Sequence, residues 1–334
     1  MWWKISLCCF GFFFLLDLSC TSNEKPALDG EQLAKLYCVG CHLYPEPDVL
    51  DQKSWEEYLL PRMGYMLGIY PNDSIRADLL GQAAEASLIE KRQIYPKGPR
   101  LDAAEWEAIK RFYLKQAPAS LPIPKTTKIH PELPNFQTRM PNFRLSPPST
   151  TFIKLNKDGT LLLGDAHTKA FYQIGNDLTI QQAANSGEGV VHVEQRADAY
   201  RLTVMGTFSP NDLAKGMIFE LPLSKQEAPR ILIKGLQRPV HHSSADLNAD
   251  GLEDIVICEF AKWTGGLSWW EQQRNGQYSK HLLRERPGAT KAYVRDFNGD
   301  DKPDVIALFG QGDEGIFLYL NQGDGQFIAI RLFR

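Results

Sequence analysis

Two thiols and an imidazole stand together in Cys38-Val39-Gly40-Cys41-His42. Each thiol can add to a haem vinyl group to form a thioether, and the adjoining imidazole can coordinate the iron, so this spacing predicts one covalently attached c-type haem. A redox dithiol would leave His42 idle and would need a surrounding βαβ pattern, which is absent. A soft thioether suits the second axial position, because it raises the reduction potential and closes the iron to oxygen. The stretch Leu60-Pro61-Arg62-Met63-Gly64-Tyr65-Met66-Leu67-Gly68 offers two. Met63 is expected, bracketed by Pro61 and Gly64 in a turn, with Met66 as the alternative; Pro61 is expected to end a helix over 54–60.

A second chemistry lies in two acidic loops. Asp246-Leu247-Asn248-Ala249-Asp250-Gly251-Leu252-Glu253-Asp254 recurs fifty residues later as Asp296-Phe297-Asn298-Gly299-Asp300-Asp301-Lys302-Pro303-Asp304. Oxygens at the first, third, fifth and ninth positions are hard ligands, so Asp246, Asn248, Asp250 and Asp254, and likewise Asp296, Asn298, Asp300 and Asp304, predict two Ca²⁺ sites. Asp301 replaces the glycine of the first copy and must enter the left-handed region in its place. His241-His242 precedes the first loop and offers an acid, a base or a further metal ligand. Neighbours on a strand point to opposite faces, so the two are not expected to chelate one ion, and the plainer expectation is one buried and one exposed side chain.

The thiol motif needs helices to hold it. Residues 29–37 place Leu33, Leu36 and Tyr37 on one face and run into Cys38. Residues 102–114 open with Asp102 and Glu105 as a capping box and align Trp106, Ile109, Phe112 and Tyr113. With Cys-x-x-Cys-His between them, residues 28–118 resemble a class I cytochrome c. The resemblance implies a small all-α domain in which the last helix crosses the first.

From Pro118 to Pro148 there are eight prolines and no apolar period, so 119–149 reads as a semi-rigid linker. Beyond it the pattern changes to short strands. After each acidic loop comes an aliphatic strand, Ile255-Val256-Ile257 or Val305-Ile306-Ala307, and Gly265–Trp270 and Asn275–Tyr278 correspond to Gly315–Leu320 and Asp324–Phe327. A period of four short strands is a propeller blade. Residues 150–334 resemble FG-GAP or VCBS repeats, which implies an all-β propeller. The roughly 185 residues hold about four blades, fewer than the roughly six or seven of a closed propeller of this kind, so the chain is expected to be truncated or to leave its last sheet open.

Residues 1–20 read as a signal peptide: Trp2 to Leu18 is apolar after Lys4, and Cys20 sits before a polar run. This resembles a bacterial lipoprotein signal, with Cys20 lipidated, although Asp17 occupies a position that such a signal gives to an aliphatic residue. The resemblance implies a lipid-anchored protein of the bacterial envelope, facing the periplasm or the cell surface. Cys8, Cys9 and Cys20 lie in the leader, and Cys258 is left as a packing thiol, so no disulfide framework is expected. A net charge of −3 excludes a basic footprint for nucleic acid.

Three functions follow as expectations. The first is electron transfer through the haem to a redox partner protein, with a calcium-stabilised propeller as docking or ligand-binding platform and no self-contained enzyme. The second is an oxidoreductase whose propeller oxidises a sugar, alcohol or other small substrate and delivers electrons to the haem on the same chain. The third is an adhesive or carbohydrate-binding surface module that uses Trp263, Trp269 and Trp270, although blade packing accounts for at least one of the last two.

Overall fold

A computed structural model of the chain describes residues 28–81, 83–122, 135–224 and 226–333. The apolar leader, Cys20 and the middle of the proline-rich segment lie outside the described residues. No helix among the described residues is long and apolar enough to cross a membrane.

The N-terminal unit is helical. Asp29 caps α1 (Gly30–Tyr37), accepting the Gln32 N–H while the Gln32 side chain accepts the Asp29 N–H. The first two motif residues after it, with Gly40, form a single 3₁₀ turn over Cys38–Gly40. There follow α2 (Gln52–Ser54), α3 (Leu60–Met66), α4 (Asp73–Leu80), α5 (Ala83–Lys91) and α6 (Ala103–Gln116). Asp102 and Glu105 form the predicted capping box at the start of α6. α6 lies against α1 so closely that a Cβ at Gly30 would stand 2.3 Å from the Ala108 carbonyl oxygen. Leu33 and Ala34 are buried in this contact, whereas Leu36 is 58% exposed, so the apolar stripe of α1 is narrower than its sequence suggests.

Pro61 does not end the helix. The backbone widens into one π turn over Trp55–Leu59, in which the Leu60 N–H reaches back to the Trp55 carbonyl, and α3 then continues through Pro61. A proline clashes with the carbonyl four residues earlier, and a wider turn moves that carbonyl away. Trp55 is fully buried against Tyr113, with ring centroids 4.4 Å apart. Their polar tips reach the loop after the thiol motif: Trp55 Nε1–H donates to Pro47 O at 2.8 Å, and Tyr113 O–H donates to Pro45 O at 2.9 Å. The helical core thereby fixes the chain that leaves His42.

The C-terminal unit holds four four-stranded antiparallel sheets, each built from consecutive strands. They are β1–β4 (Thr150–Leu155, Leu161–Asp165, Ala170–Ile174, Ile180–Asn185), β5–β8 (Val190–Gln195, Ala199–Val204, Gly216–Pro222, Arg230–Leu236), β9–β12 (Pro239–Ala245, Asp254–Glu259, Gly266–Gln272, Tyr278–Arg284) and β13–β16 (Ala289–Arg295, Asp304–Phe309, Gly315–Gly323, Gln326–Phe333). The architecture is mostly β and propeller-like. β6 and β10 are buried along their whole length, as strands covered on both faces must be. Successive sheets pack face to face: Leu162 and Phe171 against Val193 and Leu202, Ile218 and Ile233 against Ile255 and Ile257, Val256 and Trp269 against Ala307 and Phe317. Among the described residues no packing of this extent joins the fourth sheet to the first, so the blades form an open arc. Cys258 is buried in the third interface as a free thiol.

Two ends of the described linker are fixed. The Pro118 carbonyl accepts the Gln52 N–H, and Arg139 donates to the Asn176 carbonyl beside the first sheet. The helical unit rests on loops at one end of the arc. Tyr95 meets Trp263 edge to face at 5.8 Å, Arg92 pairs with Glu285 at 2.6 Å, and the Asp212 N–H donates to Glu85 at 2.9 Å. Both acidic loops, which join β9 to β10 and β13 to β14, lie at the opposite end.

Candidate functional site

A cavity of 760 Å³ opens where the helical unit meets the sheet loops. Cys41, His42 and Met66 line one wall. The His42 ring is already oriented: Nδ1 lies 2.6 Å from the Leu43 carbonyl oxygen, to which it donates as Nδ1–H. That leaves Nε2 as a lone-pair donor, the arrangement that second-shell bonds impose on metal-binding imidazoles. The volume lies within the range of small-molecule and cofactor sites.

The structure divides the sequence-predicted ligands. Met66 faces the cavity, whereas Met63, the expected thioether, packs against the helical core with Leu60 and Trp106. Cys41 is exposed beside the cavity, but Cys38 is 6% exposed and belongs to the core around Trp55 and Tyr113. Burial pushes the Cys38 thiol up to about 11. His42, Cys41 and Met66 border the cavity and would hold a haem there, whereas Cys38 is turned into the helical core.

A second cluster lies on the inner strands, and the sequence reading missed half of it. His192 of β5 stacks on His241 of β9, with centroids 4.1 Å apart, and meets His242 at 4.8 Å. His241 is 7% and His242 1% exposed, so neither is the solvent-facing residue that alternation predicted. Both nitrogens of His242 are engaged, Nδ1 with Thr203 Oγ1 at 2.7 Å and Nε2 with Glu194 at 3.2 Å. Burial, and next the neighbouring histidines, push His192 down to about 2; burial, His242 and Lys291 push His241 down to about 3. Burial alone would raise Glu194, but bonds from His242 and Ser244 and the charge of Arg196 bring it to about 2. Arg201, also buried, joins Glu253 at 2.9 Å and Glu220 at 3.4 Å. The visible signal was Val190-Val191-His192-Val193-Glu194, in which both polar residues fall on one face of a strand.

The acidic loops are closed by their own backbone. Asp246 accepts the amides of Asp250 and Gly251, and Asp250 accepts that of Leu252. Asp254 is fully buried at the start of β10, its two oxygens taken by the N–H groups of Leu247 at 3.1 Å and Gln272 at 2.8 Å. Asp304 repeats this with Phe297 at 2.9 Å and Asn321 at 2.8 Å. These two carboxylates, fully buried, staple each loop to the neighbouring strand. The side chains that stay open to a cation are those of Asp246, Asn248 and Asp250, and of Asp296, Asn298 and Asp300. In the second loop Lys302 already contacts Asp300 at 3.3 Å. Among the described residues no three His, Cys, Asp or Glu side chains converge on a metal-binding point. Both loops use the left-handed region twice, at Ala249 and Gly251 and at Gly299 and Asp301, so each has one glycine and one residue that tolerates the strain.

Residues 246–307 match the FG-GAP-like repeat. The FG-GAP-like segment contains both acidic loops and the strands from β10 to most of β14. Among solved structures, the chain is similar to a gluconolactonase of Xanthomonas campestris described as important in glucose secondary metabolic pathways, at 12% identity and a TM-score of 0.36. The likeness covers 55% of this chain and 61% of that one. No curated protein sequence matches the chain.

The three tryptophans do not form an open platform. Trp269 is 3% exposed and stacks on His281 at 4.6 Å, Trp270 is half-buried beneath Lys280, and Trp263 faces the helical unit. The tryptophans therefore lend no support to a carbohydrate-binding surface.

Proposed function

We propose that the chain is an envelope-tethered c-type cytochrome that carries single electrons, with the propeller-like unit as its docking platform. The observation that supports this most is that Cys41, an oriented His42 and Met66 all line one cavity. A haem held there supplies one-electron chemistry. The chain's own residues do the rest. His42 presents Nε2 because Leu43 holds Nδ1–H, Met66 offers its thioether from α3, and the sheet loops form the facing wall. Tethering would be through lipidated Cys20, and the electron partner would be another envelope protein.

The sixth position is tested by two variants. Met66→Ala is expected to keep covalent haem but to change the low-spin optical spectrum to a high-spin one, since the remaining position is open. Met63→Ala should leave the spectrum low-spin and cost about 1–2 kcal/mol of packing. An unchanged Met66→Ala spectrum with a high-spin Met63→Ala spectrum would return the ligand role to Met63.

Calcium belongs to this proposal as a stabiliser of the two acidic loops, held by Asp246, Asn248 and Asp250 and by their second-loop counterparts. At a hundredfold excess over its dissociation constant it would add about 2.7 kcal/mol per site. Asp250→Ala is expected to abolish the first loop's share of the rise in melting temperature on adding calcium, and Asp300→Ala a smaller share, because Lys302 competes. Asp254→Ala should cost about 3 kcal/mol with or without chelator, since it strands two buried amides. Melting that ignores both calcium and chelator would reduce the loops to backbone turns.

A further inference from the structure

The opposite wall of the cavity comes from the sheets, and its chemistry is cationic. Lys262 and Trp263 arrive on the β10–β11 loop and Arg286 on the β12–β13 connection. Most other charges at this junction are matched. Arg92 pairs with Glu285 and Asp313 is held by both Arg284 and Arg331, whereas Glu314 on the same wall has no ion pair among the described residues and accepts only the Leu43 N–H at 3.3 Å. Among the described residues Lys262 and Arg286 alone of the cavity's cations have no carboxylate within ion-pair distance. Trp263 packs beside them, with its Nε1–H buried and without a hydrogen bond.

The loop bearing two of these groups is held rigidly. Asp212 is fully buried, and its Oδ1 accepts the backbone N–H groups of Lys262, Trp263 and Thr264 at 3.2, 2.8 and 2.9 Å, and the Thr264 hydroxyl at 3.0 Å. Lys262 Nζ then sits 5.5 Å from the centre of the Trp263 ring. Two cations without carboxylate partners, carried on one wall, form a receptor for carboxylates. Haem carries two carboxylates on one edge.

We infer that the propeller-like unit supplies the anion-binding half of the haem site, with Lys262 and Arg286 holding the haem carboxylates. This rests on the haem assignment above. The propeller-like unit is then part of the cofactor pocket as well as a docking platform, and its charges set the iron's potential. Removing cations next to the haem edge favours the more positive, oxidised iron.

The test is potentiometric titration of the full-length, haem-loaded chain, read by its optical spectrum. Lys262→Ala/Arg286→Ala is expected to retain haem and to lower the midpoint enough to change the oxidised-to-reduced ratio about tenfold, which is about 59 mV for one electron. Lys262→Arg/Arg286→Lys should keep the original value. A haem-loaded double variant with an unmoved midpoint would overturn this inference alone. A wild-type chain that acquires no covalent haem when matured would overturn the haem assignment and the inference with it.

Discussion

His42→Ala, produced with the haem-attachment machinery present, is expected to yield a chain without the low-spin absorption of a six-coordinate haem. The side chain's place explains the size of the effect. Its Nδ1–H is committed to the Leu43 carbonyl, the loop beyond is pinned by Trp55 and Tyr113, and no other imidazole of the helical unit is available to replace it. Cys38→Ala and Cys41→Ala should also prevent normal maturation, because each removes one of the two covalent links. Absorption spectra and haem staining of denatured protein check all three. Covalent haem at the wild-type level in His42→Ala, with an unchanged spectrum, would remove His42 from the site.

Acid should unfold the four-sheet unit well above the carboxylate range. His192 at about 2 and His241 at about 3 titrate far below the ordinary imidazole value of 6.5, so both stay neutral in the folded chain. The unfolded chain binds protons at these positions once the pH falls below about 6.5. Stability is therefore full above that pH and declines as pH falls toward the folded values, by about 1.4 kcal/mol per imidazole per pH unit. Two imidazoles give up to about 4 kcal/mol between pH 6.5 and 5. Glu194, held at about 2, contributes stability above about 4.5 that is lost as pH falls further, in the same direction. Chemical denaturation followed at several pH values checks the slope, and His192→Leu should flatten it by one imidazole's share. A midpoint independent of pH from 8 to 5 would contradict the buried neutral cluster.

Much of this was legible in the chain because the relevant forces are local. The capping box at Asp102 and Glu105, the loops that precede aliphatic strands and the four-strand period all depend on neighbours within a few residues. Pro61 misled because its clash can be relieved by a wider preceding turn, and that turn is stabilised by the burial of Trp55 against a helix some fifty residues away. That Met66 and not Met63 borders the cavity was hidden for a similar reason: the cavity exists only once the sheets lie against the helical unit. His192 and His241 meet because β5 and β9 are adjacent inner strands, a proximity that no local spacing reveals. Asp254 and Asp304 carried a signal that ligand counting overrode. Each is the first residue of a strand buried along most of its length, where a carboxylate is held by backbone amides.

The cavity between the helical unit and the sheet loops has walls from two separately packed cores, and this couples them thermodynamically. A molecule that touches both walls binds more tightly when the units are docked, and by reciprocity it strengthens their docking by the same factor. Each tenfold preference is worth about 1.4 kcal/mol in both directions. Occupancy of the site and the rigidity of the whole chain are therefore one equilibrium seen from two sides. A change of charge at the iron would be felt as a change in how firmly the arc of sheets grips the helices.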